Sequence, residues 1–167
     1  DFSVSDALGY VSPSWATDID TAPVSVVTAC LSVEGETVAS FDETKRAQFR
    51  ASVDTIIHVH HHGTDADDPF HPVAPGAAVQ PFAAPQDGEQ VIIKHASSAF
   101  GGTTLLADLL SAGIERVIIC GATANHCAES SARSASSLGF DMVYVSDAVW
   151  AYDATGPDGV THTAAQI

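Results

Sequence analysis

From Gln90 to Ser146 the chain alternates short aliphatic runs with longer stretches in a helical pattern, and this alternation constrains the fold most. Gln90-Val-Ile-Ile-Lys94, Arg116-Val-Ile-Ile-Cys120 and Asp141-Met-Val-Tyr-Val-Ser146 read as strands. Between them, Thr103 to Ala112 and Cys127 to Leu138 read as helices, ended by Gly113 and Gly139. Short apolar strands separated by helices indicate βαβ units, hence a parallel sheet covered on both faces. The expected fold is α/β, three αβα layers around a parallel sheet of five or six strands. The runs at 91–94 and 116–120 are expected near its centre, because an uninterrupted aliphatic strand reads as buried on both faces.

The first half is less regular. Pro23 to Cys30 is a strand candidate, Phe41 to Val53 a helix with Asp42 or Thr44 as N-cap, and Thr55 to His60 a second strand. Residues 1–22 read as an irregular lead-in, and His61 to Gln90 is a loop rich in Pro, Gly, Asp and Ala. Connections that long inside a compact domain are usually functional. A length of 167 residues suits one domain spanning 1–167.

Composition narrows the function classes. With 46% hydrophobic and 16% charged residues the chain can bury a sizeable core, which excludes disorder as the main state. A formal charge of -15 would repel a phosphate backbone, so no nucleic-acid partner is expected. No apolar run approaches the roughly 18 residues of a membrane span, and the N-terminus carries no signal-peptide pattern. Three cysteines, Cys30, Cys120 and Cys127, without CxxC spacing make a disulfide framework unexpected and a cytoplasmic setting the default.

Ligands of open parallel sheets sit outside the carboxyl ends of the strands. That rule selects Cys30 and after, His60–Gly63, Lys94–Gly102, Gly121–Cys127 and Ser146–Tyr152, which are also the chemically richest segments. Cys127 follows a buried strand and opens a helix, where the dipole and unsatisfied N–H groups favour a thiolate and could hold an oxyanion. The alternative is a buried structural thiol, which suits Cys120 and Cys30 better. Lys94 is either a surface group whose stem snorkels along apolar neighbours or a cation held beside the thiol. His58, His60 and His62 share one face of a strand, so metal binding is conceivable, but alternating histidines can equally be packed. His126 is poorly placed for a dyad with Cys127, because adjacent helical residues point in different directions. Gly101-Gly102-Thr103-Thr104 reads as a tight turn rather than an anion cradle. No G-x-S-x-G, Walker A or G-x-G-x-x-G motif occurs.

Two separated segments carry a family pattern. Lys94-His-Ala-Ser-Ser-Ala-Phe-Gly-Gly-Thr103 and Gly121-Ala-Thr-Ala-Asn-His-Cys127-Ala-Glu-Ser-Ser-Ala-Arg133-Ser-Ala135 resemble the isochorismatase-like cysteine hydrolases, which include nicotinamidase and N-carbamoylsarcosine amidase. Leu138 to Ala148 and the Gly156-Pro-Asp-Gly159 turn also follow the pattern, so the resemblance covers roughly residues 55–167. It implies that Cys127 is the nucleophile and Lys94 the lysine of an Asp-Lys-Cys triad. It also implies a cis peptide at Ala122–Thr123, with the N–H groups of Thr123 and Cys127 forming an oxyanion hole. His60, Phe100, Asn125 and Tyr152 are the candidate substrate-binding residues.

The implied activity is hydrolysis of a C–N bond in a small amide or ureido substrate through a thioester, without a cofactor, in a homo-oligomer. The nicotinamidase metal site uses an Asp-x-His pair; here the position two before His60 is His58, so no metal is expected. The family's catalytic Asp has no counterpart, because the first strand has Thr28 and Ala29 near that point, and Asp18 and Asp20 precede it. A family member without turnover, serving as a binding or assembly subunit, is therefore the alternative, and an unrelated flavodoxin-like ligand-binding domain is the third reading. The family pattern continues beyond the position of Ile167 with another helix and an edge strand.

Overall fold

The structure is a computed structural model that describes the backbone of residues 24–29 and residues 50–51, 53, 55–74, 77–79 and 83–167. Five strands, β1 (Val24–Ala29), β2 (Thr55–His61), β3 (Gln90–Lys94), β4 (Arg116–Ala122) and β5 (Asp141–Trp150), form one sheet. Its order is β3-β2-β1-β4-β5 and every pair is parallel. The five-stranded parallel α/β architecture matches the expectation from sequence. β4 lies inside the sheet, between β1 and β5, as expected.

The expected place of 91–94 is corrected: β3 is an edge strand of this sheet. Ile92 and Lys94 turn inward and are buried, whereas Val91 and Ile93 on the other face are 44% and 40% exposed. An aliphatic run states how much apolar surface a strand carries, not how many layers cover it.

Two helices follow, α1 (Leu105–Ser111) and α2 (Glu129–Ser137). Gly113, at φ +69, takes the left-handed conformation that ends α1. Leu105 and Leu109 of α1, and Ala132 and Ala135 of α2, pack with Ile57, Val59, Ile92, Val117 and Ile119, so both helices cover one face of the sheet. The small side chains of α2 let its backbone approach β4 and β5 closely. On the opposite face Ile56, His58, Ile118 and Cys120 are buried too. Arg50 and Ala51 are helical there, and Arg50 reaches Glu89, the residue before β3. The helix expected over 41–53 is corrected at its end, since Val53 is not helical; residues 41–49 and 52 lie outside the described residues, as do Cys30, Asp18 and Asp20.

β5 runs four residues beyond its expected end at Ser146, past a register shift between Ile119 and Gly121 of β4. A small hairpin, β6 (Ala154–Thr155) and β7 (Thr161–His162), turns at Gly156–Gly159. Among the described residues no helix is long and apolar enough to cross a membrane. Because all five strands run the same way, His61, Lys94 and Ala122 end at one edge of the sheet, and that edge carries the chemistry.

Candidate active site

β3 delivers Lys94 and β4 delivers Cys127, by different routes. Lys94 is the last residue of its strand, on the inward face with Ile92. At the end of β4 the Ala122–Thr123 peptide bond is cis, at the position implied by the resemblance. A π-helical turn, Ala124–Ala128, then precedes α2. Thr123 O accepts from both His126 N (3.1 Å) and Ala128 N (3.2 Å). The expectation that the helix opens at Cys127 is corrected, since Cys127 is the fourth residue of this wide turn.

The two side chains meet. Lys94 Nζ lies 3.0 Å from Cys127 Sγ, 2.8 Å from Ala96 O and 3.3 Å from His61 Nδ1. Lys94 is 1% exposed and Cys127 9%, so the surface reading of the lysine does not hold. A buried ammonium is tolerated only when its donors are matched, and three N–H bonds here face three potential acceptors.

The surrounding contacts hold this pair in place. Ser131 Oγ donates to Cys127 O (2.6 Å) and accepts from Ala99 N (2.9 Å), while Ser98 Oγ donates to Ser134 Oγ (2.8 Å). The 95–102 loop after Lys94 is thereby fastened to the helix that follows Cys127. Gly101 is required for the same closeness, since a Cβ there would stand 2.9 Å from Ala96 Cβ. Phe70 packs on Ala122 and Cys127 and stands edge-on to His61, with ring centroids 5.7 Å apart. The loop after β2 thus returns over the thiol.

The histidines separate by strand alternation. His61 lies on the Lys94 face, paired with Lys94 in the β2–β3 register. His58 and His60 belong to the other face, their rings 6.3 Å apart. His58 Nε2 is 2.7 Å from Glu89 Oε2, and burial lowers its pKa from 6.5 despite that carboxylate. Burial, then His58 and His62, lowers that of His60, whose Nε2 is buried with no hydrogen-bond partner among the described residues. Among the described residues no three His, Cys, Asp or Glu side chains gather as metal ligands would. His126 is exposed, whereas its neighbour Cys127 is buried.

The candidate substrate-binding residues are not brought together. Phe100, expected at the pocket, instead leans on Phe140 of the core at a centroid distance of 6.0 Å. His60 is on the face away from Lys94, because odd and even residues of β2 alternate. Tyr152 is exposed beyond the end of β5. Asn125 lines an open groove of about 1090 Å³ with Glu129, Tyr144 and Ser146, and neither Cys127 nor Lys94 lines it. Sequence reasoning gave Phe70 no role, and placed His61 only within the dense cluster of His58, His60, His61 and His62. The signal for His61 was its place opposite Lys94 once the β2–β3 register is known.

Known proteins resemble this chain in sequence and in fold. Residues 33–166 match the sequence model of the Isochorismatase domain. The uncharacterized isochorismatase family protein YrdC of Bacillus subtilis is 34% identical over 113 residues, which are 68% of this chain and 60% of YrdC. This chain therefore spans less than two thirds of that relative. The crystal structure of an isochorismatase from Pseudomonas putida superposes with a TM-score of 0.71 at 28% identity, covering 99% of this chain and 88% of that one. That of N-carbamoylsarcosine amidase from Thermoplasma acidophilum gives 0.63 at 26% identity, covering 83% and 88%.

Proposed function

This chain belongs to the isochorismatase family, and from that premise we propose that it is a cysteine hydrolase cleaving a C–N bond of a small amide or ureido substrate. The observation that carries the reading is the buried contact of 3.0 Å between Lys94 Nζ and Cys127 Sγ at the carboxyl edge of a parallel sheet. An ammonium beside a sulfur stabilises negative charge there, and a thiolate is the nucleophilic form of cysteine. Sγ attacks the substrate carbonyl, and the backbone N–H groups of Thr123 and Cys127 receive the oxyanion. The C–N bond breaks, an amine or ammonia departs with a proton, and water hydrolyses the thioester. The amidase among the similar structures supports a C–N rather than a C–O substrate.

A member without turnover, acting as a binding or assembly subunit, is the second reading. It is favoured by one observation: among the described residues no carboxylate bonds to Lys94. Ammonia and amine release from a panel of primary amides and ureido acids separates the two. The hydrolase reading requires turnover by the wild type that Cys127→Ala abolishes. No turnover across the panel, with an unreactive Cys127, supports the second reading.

A further inference from the structure

Of the three acceptors around Lys94 Nζ, a sulfur and a backbone carbonyl satisfy the ammonium, and the third, His61 Nδ1, can also take a proton from it. The register of β2 against β3 fixes this neighbour, because His61 and Lys94 are partner residues at adjacent strand ends. The imidazole is braced edge-on against Phe70, which packs on Cys127, so thiol, ammonium and imidazole form one contiguous unit. His61 is half-buried, which leaves a route by which a proton can reach solvent.

We propose that His61 is the proton acceptor of this site, drawing the thiol proton of Cys127 through the Lys94 ammonium. The proposal rests on Cys127 being the nucleophile and supplies the base that the sequence left unassigned. With its own proton on Nε2, His61 offers the Nδ1 lone pair to Lys94. An Nζ–H proton passes to Nδ1, and the lone pair left on Nζ takes the proton from Sγ. The S–H electron pair stays on sulfur, and Lys94 ends as it began, an ammonium. The net change is thiol plus neutral imidazole to thiolate plus imidazolium. When the tetrahedral adduct collapses, the proton returns from His61 through Lys94 to the departing nitrogen. His61 thus acts through Lys94 rather than on the substrate.

Burial and the local charges favour the neutral imidazole, the form that has a lone pair to offer, while making it a weaker base than a free one. Burial first, then Lys94, lowers its pKa from 6.5; His95 and His62 act in the same direction and Asp68 against it. Asp68 belongs to the loop that carries Phe70, whose N–H it accepts at 2.7 Å.

The test is the rate of Cys127 alkylation by iodoacetamide between pH 4.5 and 9, read by peptide mass spectrometry, in wild type, His61→Gln and His61→Phe. The wild-type rate should fall along an acid limb below pH 6.5, as His61 is protonated and stops accepting. His61→Gln still offers Lys94 an acceptor oxygen but takes no proton, so its limb should move to higher pH, where the thiol loses its proton to solvent unaided, and it should react at least about tenfold more slowly at pH 7. His61→Phe should behave in the same way, with thermal melts reporting that both variants fold. Wild-type behaviour in His61→Gln overturns the proposal by reducing His61 to a spacer. A wild-type profile without the acid limb overturns it with no variant needed. A wild-type Cys127 no faster than Cys120 sinks the nucleophile reading itself, and this proposal with it.

Discussion

Glu89 is the residue through which the face of the sheet away from Cys127 should respond most to a single substitution. Its carboxylate, whose side chain is 13% exposed, bonds Arg50, the Gln86 N–H (2.8 Å) and His58 Nε2 (2.7 Å). Burial alone would raise its pKa, but these bonds outweigh it and bring the value from 4.5 to about 2. At 1.36 kcal/mol for each tenfold in acidity, that difference amounts to roughly 3 kcal/mol of folding stability, an order-of-magnitude figure. Because the folded value lies below the unfolded one, the contribution is complete above about pH 5 and is lost as the pH falls towards 2. Glu89→Gln keeps the shape and removes the charge, so it should cost about 3 kcal/mol at pH 7 and about half of that at pH 3. His58 adds a second acid-sensitive limb in both proteins: its folded pKa is below 6.5, so the unfolded chain takes up that proton first as the pH falls. Urea melts of wild type and Glu89→Gln at pH 7, 5 and 3 give the difference directly. A difference below about 1 kcal/mol at pH 7, or one equal at pH 7 and pH 3, would refute the reasoning.

Lys94→Met replaces a buried ammonium by an apolar chain of similar length. It should cut kcat/KM on an amide substrate by about 100-fold or more while changing the melting temperature little. Leu109→Ala, in the middle of the α1 contact with the sheet, should cost about 2–5 kcal/mol in denaturant melts without altering Cys127 labelling. Cys120→Ala should cost about 1–2 kcal/mol in the same melts and leave turnover intact, since Cys120 lies inside β4 rather than beyond its end. The chain is expected to be a homo-oligomer, with Val91 and Ile93 exposed on the outer strand as surface available for burial. Sedimentation showing only monomer at micromolar concentration would count against it.

The strands were legible because each is a β-branched run bounded by glycine or polar residues, and the parallel sheet followed from their alternation with helices. Strand order was not legible in β3: its three aliphatic residues look alike in sequence, yet only Ile92 is covered. The start of the Cys127 helix was misread because Ala124-Asn-His-Cys-Ala128 has no capping signature; the turn is set by Thr123 O receiving two N–H groups. Lys94 was ambiguous from sequence, since a lysine after three aliphatics suits the surface or the site equally well. Its burial and its contact with sulfur decide that. His61 was hidden among the alternating histidines 58, 60 and 62, and Glu89 lay unnoticed in a loop. In both cases the contact depends on the β2–β3 register, which residue types do not encode locally.

The central claim, that Cys127 forms a covalent bond to the substrate carbonyl, is tested most directly by acid-quenching the wild-type enzyme during turnover of an amide and mapping its peptides by mass. The account predicts an acyl adduct on the peptide carrying Cys127, labile to hydroxylamine as a thioester is, and absent from Cys127→Ala, which does not turn over. Turnover retained in Cys127→Ala, or an adduct on any other residue, would contradict it.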